Sequence, residues 1–132
     1  MSSSRKHRLY YHQLWFVIGC SIVCLIIYLS LTTSGAMVVT SLLNDKVGHT
    51  LGYFGTMLWF MQLYKANTIR LALAVIFICM GIALEYIQGM GGVRIFEVAD
   101  MAANMTGVVL GWFAAALDPI IRIQSEFLIS IQ

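Results

Sequence analysis

The chain has 132 residues, 60% of them hydrophobic and 11% charged. Soluble domains carry about 25% charged residues, and a chain this small can hide only about two-thirds of its surface. An ordinary soluble fold is therefore excluded, and a net charge of +2 is too small to point to nucleic acid.

Residues 1–13 are polar, with Arg5, Lys6 and Arg8 close together. Residues 14–31 form an 18-residue run without a charge, enough to cross a bilayer at about 1.5 Å per residue. Ser34, Gly35 and Ala36 have the small-x-small form of a cleavage site, but the run exceeds the roughly 7–15 residues of a signal sequence, so it reads as an uncleaved anchor. Residues 32–44 are a semi-apolar connection with a short interfacial helix expected over 37–43. A second span is expected over 47–64. Lys65 and Arg70 make the next turn basic, and a third span is expected over 71–89. Gly91, Gly92, Val93 and Arg94 form a tight turn, where glycine supplies positive φ at little cost. The fourth span is expected over 98–117, broken by Asp118-Pro119. Residues 120–132 mix Ile and Phe with Arg122, Gln124 and Glu126, the pattern of a short amphipathic tail lying on the membrane. Cys20, Cys24 and Cys79 all fall inside apolar runs and read as small hydrophobes. The expectation is one all-α polytopic domain over 1–132, four transmembrane helices in a small bundle.

The basic residues orient this bundle. Alternating spans put Arg5, Lys6, Arg8, Lys65, Arg70 and Arg122 on one side and only Lys46 and Arg94 on the other. That asymmetry predicts cytoplasmic termini. The same topology gathers the unusual polar residues at the outer side. Asp45, Lys46, His49 and Tyr53 begin span two. Glu85 and Gln88 end span three, Arg94 is in the outer turn, and Asp100 and Asn104 begin span four. Asp45, His49 and Tyr53 recur every four residues on one drifting helix face, and Asp100, Asn104, Gly107 and Gly111 form a stripe. Gly48 with Gly52, and Gly107 with Gly111, are small-xxx-small patterns that permit close helix approach. The expectation is that both polar faces turn inward together.

Each residue has a plainer reading. Asn44 or Asp45 can be a helix cap, Arg94 a loop charge, and Asn104 interhelical glue worth about 0.6 kcal/mol. Glu85 is harder to dismiss, because it follows a long apolar run and ions are costly in hydrocarbon unless paired or functional. The joint placement favours a site, with His49, Glu85 and Asp100 as candidate catalytic groups and Lys46, Tyr53, Gln88, Arg94 and Asn104 as candidate substrate contacts. No metal ligand set is assigned; a divalent ion on His49, Glu85 and Asp100 is a minor alternative, and no cofactor is named by the residues.

The pattern Asp45-Lys46-x-x-His49-x-x-x-Tyr53, Glu85-x-x-Gln88, Arg94 with Asp100, and Asn104-x-x-Gly107-x-x-x-Gly111 resembles the VanZ-like family of small membrane proteins. The resemblance covers residues 44–112. It departs at the turn, where Gly-Gly-Val precedes Arg94 and Ile95 follows it. It implies a cell-envelope protein of the bacterial cytoplasmic (inner) membrane with a link to glycopeptide antibiotic tolerance, and it implies no particular chemistry.

Three functions fit the residues. The first is an outward polar site for a lipid-linked or phosphate-bearing envelope intermediate, such as a polyprenyl-phosphate-linked one. Lys46 and Arg94 would neutralise phosphate there, and His49 or Glu85 would be the base, with Asp100 orienting His49. The second is a non-enzymatic structural or partner-binding module. The third is proton-coupled movement of a small solute through Glu85 and His49, which requires a homo-oligomer. Whether the chain is an enzyme is left open. The topology itself is testable. Reporter fusions after Tyr64 and Leu117 should read cytoplasmic and one after Gly92 external; a cytoplasmic signal after Gly92 would invert the orientation.

Overall fold

A computed structural model of the chain describes residues 3–92 and 94–117, with side chains from Tyr11 onward. Among these residues there are five helices, α1 (Ser3–Leu31), α2 (Thr33–Leu42), α3 (Asp45–Leu63), α4 (Asn67–Gly91) and α5 (Val98–Leu117). The break at Asp118-Pro119 and the amphipathic tail expected from the sequence lie outside the described residues.

The helix ends follow from local chemistry. α1 runs back through the polar N-terminal residues to Ser3, rather than starting at the apolar run. It stops at Thr32, whose extended backbone lets its hydroxyl accept from the Gly35 N–H at 3.1 Å and so start α2. A Cβ on Gly35 would come within 2.6 Å of Leu29 Cα, so only glycine allows α2 to fold back against the last turn of α1. This is the short helix expected over 37–43, begun four residues earlier. Asn44 caps α3 by accepting the Lys46 N–H at 3.1 Å. At the far end of α3, Arg70 donates to the carbonyls of Tyr64 and Met61, at 2.6 and 3.1 Å. α4 ends on Gly92 at φ +66°, the left-handed position where glycine avoids the Cβ penalty. α5 spans 98–117, as its apolar run predicts.

α3 is the centre of the bundle. It supplies Tyr53, Met57, Phe60 and Met61 to the buried core, joined by Ala74 and Phe77 of α4 and Val108 and Ala115 of α5. α1 lies outside it, with Trp15 stacked at 4.6 Å on Trp59 and its carbonyl accepting the Trp59 indole N–H at 3.0 Å. Three stretches, Tyr11–Leu31, Asn67–Gly91 and Val98–Leu117, are long and apolar enough to cross a membrane. The fourth expected span, within α3, lacks the required hydropathy because Asp45, Lys46, His49, Thr50 and Thr56 lie on it. The surface distribution is that of a membrane protein. Large side chains such as Val17, Leu25, Val75, Ile76, Leu110 and Phe113 face outward, while Thr56, Glu85, Gln88, Asp100 and Asn104 are buried.

α3 and α5 run parallel at close range. A Cβ on Gly107 would collide with the Thr50 carbonyl, and one on Gly111 would lie 2.7 Å from the Phe54 carbonyl. The two glycines of α5 therefore let backbone meet backbone, as the small-xxx-small pattern predicts. The other pair behaves differently. A Cβ on Gly48 would meet Val39 of α2 at 2.6 Å, and one on Gly52 would meet Ile26 of α1 at 3.7 Å. These glycines pack α3 against α2 and α1, not its polar face against α5. Each precedes its polar neighbour by one residue, about 100° around the helix.

Gly107→Leu should lower the melting temperature in detergent by more than Gly55→Ala, since a Cβ on Gly55 meets nothing within 4 Å. Overpacking costs about 1–3 kcal/mol, and more where backbone is the obstacle. Equal melting temperatures would mean that α3 and α5 do not touch at Gly107.

Candidate functional site

Parallel packing brings the N-termini of α3 and α5 together. Asp45 and Lys46 occupy the first turn of α3 and Asp100 the first turn of α5. Carboxylates are favoured there by the exposed N–H groups and the helix dipole. One turn further along lie His49 and Asn104, and their side chains meet, with His49 Nδ1 2.9 Å from Asn104 Oδ1. Asn104 also reaches the Gly81 carbonyl of α4 from its amide nitrogen, at 3.5 Å. Three helices are thus tied at one level.

The charges are paired across the elements. Lys46 Nζ lies 2.7 Å from Glu97 and 3.2 Å from Asp100 Oδ1. The hydrogen bond to Glu97, then that to Asp100, hold the Lys46 ammonium above the ordinary lysine range. Its contribution to stability is present below the ordinary lysine pKa and is lost as pH rises through the raised value. Arg94 forms an ion pair with Asp45. His49 Nε2 faces Asp45 Oδ1 and Asp100 Oδ2, both at 3.8 Å.

The candidate groups meet partners other than those expected. Arg94 pairs with Asp45. Glu85 instead accepts the Glu97 backbone N–H at 2.7 Å, which fastens the end of the α4–α5 connection to α4. Its second oxygen is buried with no hydrogen-bond partner. Asn104, not Asp100, hydrogen-bonds the His49 ring. Gln88 is committed to α1, donating to the Ser30 carbonyl at 2.6 Å. The Tyr53 hydroxyl is buried without a hydrogen-bond partner. Lys46 is the most exposed of these groups, yet it is paired within the chain. Among groups that could hold a metal, Asp45, His49 and Asp100 bring one ligand atom each within 4.8 Å of one another, so Asp45 takes the place considered for Glu85.

Two partners were not singled out in the sequence. Glu97 binds Lys46 through its side chain and Glu85 through its N–H. Its signal was an acid placed three residues before Asp100 at a helix start. Thr50 donates to the Lys46 carbonyl and, at 3.3 Å, to that of Ala103 on α5. It offered no signal beyond lying one residue after His49.

A small cavity of about 90 Å³ adjoins the cluster. Ile26, Leu29 and Val39 of α1 and α2 form its apolar wall, and His49, Tyr53 and Arg94 form its polar one. A second hollow of about 170 Å³, between Ala74, Ile78, Val108 and Trp112, has an almost wholly apolar lining. No protein-family model, curated protein or solved structure matches the chain.

The Arg94–Asp45 pair should show coupling in a double-mutant cycle of Arg94→Gln and Asp45→Asn, read as unfolding stability. Both side chains are partly buried, at 15% and 26% exposure. The coupling should fall between the ~0.2–1 kcal/mol of exposed pairs and the ~3–5 kcal/mol lost on breaking buried ones. Strict additivity would show that the two do not meet.

Proposed function

We infer that this chain is a VanZ-like, four-span protein of a bacterial cytoplasmic membrane, with both termini inside, and that its polar cluster takes the phosphate-bearing head group of a lipid-linked envelope intermediate. The observation that carries this reading is the two-faced cavity. Its Arg94 and His49 wall suits an anionic head, and its Ile26, Leu29 and Val39 wall suits the start of an apolar tail. α3 supports the fourth span: its 19 residues reach about 28 Å, enough to carry the chain from a charged first turn through most of the hydrocarbon core. Its charged end then lies at the membrane surface rather than within it.

A second reading has its own support. Lys46 and Arg94 are both neutralised by carboxylates of this chain, as expected of a network that only holds helix ends together. The two readings differ in what they bind. A photo-cross-linkable polyprenyl phosphate should label the purified wild-type chain in nanodiscs well above the matching polyprenol. Arg94→Ala should lower that labelling roughly 10-fold or more, the worth of about 1.5–3 kcal/mol for a charged hydrogen bond. Equal labelling by alcohol and phosphate, unchanged in Arg94→Ala, would make the cluster structural.

A further inference from the structure

The Nε2 side of His49 poses a problem that the cluster's own residues leave open. The amide nitrogen of Asn104 is directed to the Gly81 carbonyl, which leaves its oxygen toward His49 Nδ1. An amide oxygen only accepts, so Nδ1 carries the ring proton and donates it. In neutral imidazole Nε2 is then a bare lone pair. It has no hydrogen-bond partner, and it points between two carboxylate oxygens at 3.8 Å. The His49 side chain is 9% exposed and that of Asp100 3%, so water does little to relieve the convergence. Three acceptors face one another; Arg94 sits on the Asp45 oxygen, and no donor reaches His49 Nε2.

We propose that Asp45, His49 and Asp100 bind a divalent first-row transition ion of the manganese or zinc class. Charge is compatible with a bound cation. The ion-paired carboxylates Asp45, Glu97 and Asp100 outnumber the cations Lys46 and Arg94 by one. One imidazole with two carboxylates is a donor set for such ions rather than for soft ones. The surroundings are those of a ligand shell held from outside. Asn104 fixes the tautomer and orientation of His49, Lys46 holds the other oxygen of Asp100, and Arg94 holds Asp45. Ligands at about 2.0–2.2 Å from an ion lie roughly 3.0–3.5 Å apart, so side-chain rotations that draw the three atoms in from within 4.8 Å of one another close the site. Three protein ligands leave coordination positions free on the side of the cavity that Tyr53 and Arg94 line. A phosphate oxygen can take one of these, and this last step alone rests on the lipid head-group reading above. It also explains how a cluster whose cations are already neutralised can attract an anion.

The full chain, stripped with chelator in nanodiscs, is titrated with Mn²⁺ or Zn²⁺ alone. The wild type should retain one ion per chain after gel filtration and gain thermal stability on binding it. His49→Ala and Asp100→Asn should each weaken binding by more than tenfold, and Asn104→Ala by about 10–100-fold, the range for residues that orient a ligand. Cys79→Ser, at an exposed thiol, should bind as the wild type does, which excludes that thiol as a ligand. The wild-type arms stand even where a variant does not fold. A wild type that retains neither ion, with nitrogen NMR showing both His49 ring nitrogens protonated, would make the occupant a proton and overturn the proposal. Retention equal in wild type, His49→Ala and Asp100→Asn would overturn it as well, by showing adventitious binding. If the ion binds but chelation leaves polyprenyl-phosphate labelling unchanged, the ion site stands and its use for phosphate fails.

Discussion

The contact between α3 and α5 along Thr50–Gly107 and Phe54–Gly111 is the constraint on which the rest of the molecule depends. In a membrane there is little hydrophobic gain from bringing two helices together, so close packing and interhelical hydrogen bonds must do it. A side chain at Gly107 or Gly111 would strike backbone on α3, which cannot move aside as a flexible side chain can. The glycines set both the distance and the register. With α3 and α5 parallel and in this register, Asp45 and His49 face Asp100 and Asn104. The polar cluster is thus a consequence of two residues that carry no chemistry of their own.

The cluster is assembled from groups that would be expensive singly. Two helix N-termini converge, and the positive end of each helix dipole favours the acid in its first turn. The ion pairs then connect different elements: Arg94 of the connection with Asp45 of α3, and Lys46 of α3 with Glu97 and Asp100 at the start of α5. Glu85 adds the α4 end through the Glu97 backbone. Because so many partners are shared, losing one leaves another buried and uncompensated, which costs far more than a surface pair is worth. The same arrangement ties this end of the bundle together at several points, the requirement for a site whose geometry must be held.

Among the described residues, five buried side-chain polar atoms lack a hydrogen bond; Asp45 Oδ1 and Asp100 Oδ1 are in ion pairs with Arg94 and Lys46, which leaves His49 Nε2, the Tyr53 hydroxyl and one oxygen of Glu85. Two of them belong to residues that line the small cavity. A network evolved only to join helices would be expected to use its donors and acceptors fully, since each orphan costs about 1–3 kcal/mol. The two orphans beside the cavity are the feature on which the binding reading rests.

Much of this was legible in the sequence. Apolar runs and their breaks are local properties, so α5 is found at the residues its pattern predicts, and the glycine turn before Arg94 is real. Helical spacing placed His49 with Asp45, and Asn104 with Asp100 and Gly107, because such spacing is fixed within a single helix. The pairings between elements were not legible. That Arg94 meets Asp45 and not Glu85, that Gln88 is spent on the Ser30 carbonyl, that Asn104 holds the His49 ring, and that Glu97 joins the cluster at all depend on how each helix is rotated about its axis. A rotation of one residue, about 100°, exchanges every partner. That rotation is set by contacts between elements, above all the backbone-to-backbone approach at Gly107 and Gly111. The sequence by itself therefore determined that most of these polar groups gather at one end of the bundle, and only the tertiary structure decided which of them touch and brought Glu97 and Thr50 among them.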